Sequence, residues 1–126
     1  MLQYSSALYL TVVLHAFHAR NALYHHVFLV VAYCSALFYA QPAVRSTSWL
    51  DLADAMCAHA GFVCVALDPR GVRHPWLLLF PAATAALWLG QRGRSRDTQD
   101  RLHVCLHVIS VVGLHCYLMY PPLTSA

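Results

Sequence analysis

ALYHHVFLVVAYCSALFYA, residues 22–40, holds no Lys, Arg, Asp or Glu. At about 1.5 Å of rise per residue, a helix of this length nearly crosses the roughly 30 Å hydrocarbon layer of a bilayer. Four more apolar stretches lie around it, at 3–18, 49–67, 76–90 and 102–120, and the charged residues collect between them. Hydrophobic residues make up 60% of the chain and charged residues 10%, with a mean hydropathy of +0.53. In soluble domains about a quarter of residues are charged. The expected fold is therefore all-α: a polytopic membrane protein of about five transmembrane helices in one bundle. The spans fill a 126-residue single domain, 1–126. No room is left for a soluble catalytic domain. A net charge of +3 spread over the loops gives no case for a nucleic-acid partner.

Punctuation between the stretches is clear. Arg20-Asn21 turns the first segment into the second, and Pro42 closes the second, because proline cannot continue a helix. Ser48 is placed to cap the third segment, with Asp51 in its first turn. Asp68-Pro69-Arg70-Gly71 reads as a turn. Pro81 predicts a kink in the fourth segment, and Trp76 and Trp88 stand near its ends as interfacial aromatics do. The N-terminus lacks a basic region and a small-residue cleavage site, so the first segment reads as a retained helix. Five Arg on the side of the Arg45 and Arg92–Arg101 loops against Arg20, Arg70 and Arg73 orient the former side inward.

All five cysteines, Cys34, Cys57, Cys64, Cys105 and Cys116, lie in apolar segments without a Cys-x-x-Cys pair. Neither a disulfide framework nor a zinc knuckle is expected from them. Ala53, Cys57, Ala60 and Cys64 make a small-residue seam, which lets helix backbones approach closely in lipid. Nine histidines stand out in so apolar a chain, since ionisable groups inside a membrane are expensive. His103 and His107, four residues apart, share one helix face and suit two ligands of one metal. His115 is rotated away from them, and His59 sits in mid-segment. Asp54 is the acidic group placed to lie within the membrane. These groups either bind a metal or hydrogen-bond helices together, and the second reading is preferred because no third ligand is in view.

Two family resemblances follow from these residues. Ser35-Ala-Leu-Phe-Tyr39, Asp51 or Asp54, His103-Val-Cys-Leu-His107 and the final Leu118-Met-Tyr-Pro121-Pro122 resemble the superfamily of alkaline ceramidases, progestin/adiponectin receptors and myomaker-like proteins. That resemblance implies a seven-helix bundle in which three His hold zinc and an Asp activates its water. Here Tyr39 stands at the first ligand position, and the chain is two helices short. Residues 39–90 also resemble the small cytochrome b anchor of succinate dehydrogenase, through Cys57, Ala58-His59-Ala60-Gly61 and Asp68. That likeness implies a three-span anchor for haem b and quinone, with Cys57 at the ligand position and His59, two residues on, facing another side of the helix. Pro69 takes the place of its quinone-side Tyr.

Both resemblances lack part of their chemistry. The expectation is a non-enzymatic subunit of a larger membrane complex, such as complex II of the mitochondrial inner membrane. Its partners would be other membrane subunits and lipid, with cardiolipin at the Arg92–Arg101 loop. The alternatives are a zinc-dependent intramembrane lipid amidase or hydrolase (His103, His107, Asp54) and a haem or quinone anchor (Cys57, His59).

Overall fold

The computed structural model describes residues 2–40 and 49–121, with side chains over 5–37 and 52–121. The readings of Pro42, Arg45 and Ser48, and of the Tyr39 and Asp51 side chains, lie outside the described residues. The described residues are mostly helix, with no strand among them, so the all-α expectation holds. The elements are α1 (Leu2–Ala7), α2 (Tyr9–His18), α3 (Ala22–Ala40), α4 (Trp49–Ala66), α5 (Pro69–Arg73), a 3-10 turn (Pro75–Leu78), α6 (Leu79–Gly90) and α7 (Arg96–Leu118). Leu8 keeps helical backbone angles, so α1 and α2 continue one another.

Helix boundaries follow local chemistry. At the end of α2, Asn21 N–H bonds the Ala16 carbonyl at 2.8 Å and Arg20 N–H the Phe17 carbonyl at 3.1 Å. This closure requires a left-handed residue, and Arg20 adopts φ 54° where glycine is the usual choice. Asn21 then accepts from Tyr24 N–H at 3.1 Å, capping α3. Asp68-Pro69-Arg70-Gly71 is not a bare turn: Asp68 caps the short α5 with Pro69 at its first position. Pro81 sits in the first turn of α6, where no intrahelical N–H is missed, rather than kinking a continuous helix. α7 begins six residues ahead of the expected 102, inside the polar loop, with the Asp97–Arg101 pair at 3.0 Å on its first turns.

Among the described residues, one helix, Arg96–Leu118, is long and apolar enough to cross a membrane; Ala22–Leu37, Leu52–Ala66 and Pro75–Gly90 are shorter apolar helices. The core is drawn from α2 (Val12, Val13, Ala16), α3 (Tyr24, Phe28, Val31, Ala32) and α7 (Val111, Leu114, Tyr117, Leu118). Each set recurs three to four residues apart and so forms one buried stripe. Beside this apolar core, several polar groups are buried and many large apolar side chains are exposed. Ser5, Ser6, Ser35, Asp68, Arg70 and His107 are buried, whereas Leu14, Phe17, Leu23, Tyr33, Leu52, Met56, Leu67 and Leu79 are exposed.

Part of the small-residue seam of α4 packs on α3, while Ala60 is exposed. Cys57 and Cys64 meet the core, and a Cβ on Gly61 would lie 3.2 Å from Phe28 and 3.4 Å from Val31. α6 packs along α7, while α4 and α6 touch only lightly. The space left between them is the cavity described next.

Candidate functional site

A cavity of about 480 Å³ opens between α3, α4, α6 and α7. Contacts between side chains fix how the helices run beside it. His59 of α4 stands edge-on to Trp88 of α6 at 5.5 Å. Gln91, just beyond α6, reaches His103 of α7 at 3.4 Å. At the other end, Phe80 of α6 lies against the Gly113 backbone of α7, where a Cβ would come to 2.5 Å. The lining therefore sorts by depth. Ser35, Asp54, His59, Trp88, His103 and His107 surround one end, and Phe28, Val31, Val65, Phe80 and Leu114 surround the other. Between them Thr84 and Ser110 face each other at 3.1 Å.

The polar end is braced by hydrogen bonds. His107 Nδ1 meets the Ser5 hydroxyl at 2.8 Å, and its ring stands edge-on to Tyr9 at 5.5 Å. His103 and His107 rings are 4.6 Å apart, as their spacing in sequence requires. The Ser35 and Ser6 hydroxyls bond at 2.8 Å, tying α3 to α1. His59 Nδ1 lies 2.6 Å from the Ala55 carbonyl. A carbonyl only accepts, so this nitrogen is the donor.

Four of the remaining histidines, His15, His25, His74 and His115, reach across to other elements. Thr11 donates its single hydroxyl hydrogen to the Leu8 carbonyl at 2.6 Å, so it accepts from His115 Nε2 at 2.9 Å. Neutral His115 then presents a bare Nδ1 to His15 Nδ1–H at 2.8 Å. His25 donates to the Val13 carbonyl at 3.1 Å, and His74 stacks on Tyr120 at 3.9 Å. The His15, His25 and His115 imidazoles bond from one helix to another.

A second polar cluster lies at the α5 end. Asp68 accepts from Arg70 Nε at 3.0 Å, Arg70 Nη2 at 2.6 Å, the Arg70 backbone N–H at 2.9 Å and the Tyr24 hydroxyl at 2.5 Å. Arg70 Nη1 donates to the Tyr117 and Tyr120 carbonyls at 3.0 and 3.2 Å. Burial pushes the Asp68 carboxyl up, but the bonds from Arg70 and Tyr24 outweigh it and hold the group below the ordinary carboxylate range. The clasp fastens α5 to α3 and to the last turn of α7.

Of the expected site residues, Asp54, His59, His103 and His107 share the cavity wall, together with Ser35. Cys57 does not: its Sγ turns to Cys34 Sγ on α3, 3.5 Å away, so it and His59 do not share a site and the pair does not fit a haem ligand set. Zinc also lacks a complete donor set. Among the described residues no group of three or more His, Cys, Asp or Glu comes close enough to hold a metal ion. Ser5, Tyr9 and Arg70 were not legible as site or clasp residues, because their partners lie far along the chain. No family model matches this sequence, and neither the curated proteins nor the solved structures give a match.

Proposed function

We propose that this chain is a multi-helix membrane protein that binds one amphiphilic small molecule within its own bundle. The cavity carries the reading. Its volume falls within the range of small-molecule sites, and it is graded from aromatic and aliphatic walls to a cluster of hydroxyl, carboxyl and imidazole groups. An acyl or similarly apolar body fits the Phe28–Phe80–Leu114 end, and a hydrogen-bonding head fits the end of Asp54, His103 and His107. The membrane setting is supported by the many exposed large apolar side chains: in lipid the exposed leucines and aromatics are solvated, and the buried serines and Arg70–Asp68 find partners inside.

Trp88 lines the cavity and provides the test. With Trp49 and Trp76 replaced by Phe, a brominated long-chain alcohol is expected to quench Trp88 saturably in detergent micelles. Ala58→Phe, which fills the cavity from α4, should abolish the saturable part. Unsaturable quenching that Ala58→Phe leaves unaltered would refute the proposal.

The hydrolase reading draws on one observation, Asp54 and the His103–His107 pair at the same end of the cavity. Zinc retained in stoichiometric amount by purified protein, and lost in His107→Ala, would favour it. The subunit reading keeps the exposed part of the small-residue seam, Ala60, as a face for an outside helix, while Cys57 and Cys64 pack on the core.

A further inference from the structure

We propose that Cys34 and Cys57 form a dithiol that closes to a disulfide, stapling α3 to α4 beside the cavity. Among the described residues these two thiols touch, at 3.5 Å, and both are half-buried, so a small oxidant reaches them. A disulfide needs the sulfurs at about 2.05 Å, an approach of roughly 1.5 Å between helices already in close packing. That packing is set one turn away, where Gly61 brings α4 against Phe28 and Val31. Position then gives the bond a consequence. Ser35 follows Cys34, and Asp54 and Gly61 lie one turn to either side of Cys57; all three line the cavity. The couple sits in the α3–α4 wall and, once closed, fixes its width.

The oxidant is a low-molecular-weight disulfide. The thiolate of Cys34 or Cys57 attacks one of its sulfurs, forming a mixed disulfide and expelling one small thiolate. The second protein thiolate attacks the protein sulfur of that mixed disulfide and expels the other. The two protein thiols are oxidised, the small disulfide is reduced to two thiols, and the two protons lost pass to the leaving thiolates.

The test uses the whole chain in detergent and lipophilic 4,4'-dithiodipyridine as the oxidant. One equivalent is expected to release two thiopyridones per chain. The protein mass should fall by two hydrogens, and digestion should yield a linked peptide pair containing Cys34 and Cys57. In Cys34→Ser, Cys57 should instead keep a single thiopyridine adduct. A stable mixed adduct on wild-type Cys57, or links that run to Cys64, Cys105 or Cys116, would overturn the proposal. Closure is also expected to slow entry of the brominated alcohol, read as a slower Trp88 quenching phase that reduction restores. This regulatory part rests on the binding proposal. A crosslink that forms in protein that never binds the probe defeats the binding proposal alone, and a crosslink with unchanged probe entry defeats the regulatory role.

Discussion

Replacing Arg70 by Met tests the polar clasp at its centre. The guanidinium makes a bidentate contact with Asp68 and two bonds to the carbonyls of Tyr117 and Tyr120, and its side chain is 4% exposed. Met fills similar volume but leaves the Asp68 carboxylate buried with only the Tyr24 hydroxyl and one backbone N–H. Removing one member of a buried ion pair costs about 3–5 kcal/mol, because the survivor is left uncompensated. The exposed Arg101–Asp97 pair is the control, at 80% and 76% exposure, where Arg101→Ala should cost about 0.5 kcal/mol or less. The assay is reversible unfolding in mixed micelles, followed by circular dichroism, with amide exchange at the C-terminal turn of α7 read in parallel. Arg70→Met should destabilise the protein several-fold more than Arg101→Ala and expose the amides at 117–120. Adding Asp68→Leu should recover much of the loss, since a buried pair replaced by apolar residues is often near neutral. An Arg70→Met variant no less stable than Arg101→Ala would refute the argument.

Acid should act on the same clasp with a defined sign. Asp68 is held below its unfolded value, so its contribution is complete above about pH 4 and disappears as pH falls through the folded value. An Asp68→Asn variant should therefore lose the acid-dependent part of the unfolding curve below that range. Arg20→Gly should stabilise the protein by about 1 kcal/mol, by removing the cost of a left-handed non-glycine residue, provided the unfolded chain's gain in freedom does not cancel it; a lower melting temperature would contradict this. Gly113→Ala places a Cβ 2.5 Å from Phe80 Cβ, a backbone-proximal atom that cannot rotate aside. It should cost about 1–3 kcal/mol in the same unfolding assay.

The helical segments were largely legible, because long apolar stretches and their Pro, Asn and Asp punctuation act locally. Residues 22–40 became α3 with the expected bounds. Departures came where local rules met tertiary packing. α7 extends into the polar loop because Ser95, Arg96 and Asp97 form a serviceable helix start. The α4 seam was readable as a close-packing face, but its partner was not, since nothing in the sequence distinguishes α3 from another protein's helix. Grouping Asp54, His59, His103 and His107 on one cavity depends on α4 facing α7 across it, a matter of topology. The Ser5–His107 and Arg70–Tyr117 contacts join residues 102 and 47 apart, beyond any periodicity. Two residues on a helix face different sides, so the divergence of Cys57 from His59 was legible, but its Cys34 partner, 23 residues away on α3, was not.

Native mass spectrometry of the protein released from lipid nanodiscs tests the central claim most directly. One amphiphile per chain should remain bound after release, at a ratio unchanged by dilution, and Ala58→Phe should arrive bare. Wild-type chains that arrive bare, or variant and wild-type chains that carry the same random distribution of lipids, would contradict a cavity built to hold one.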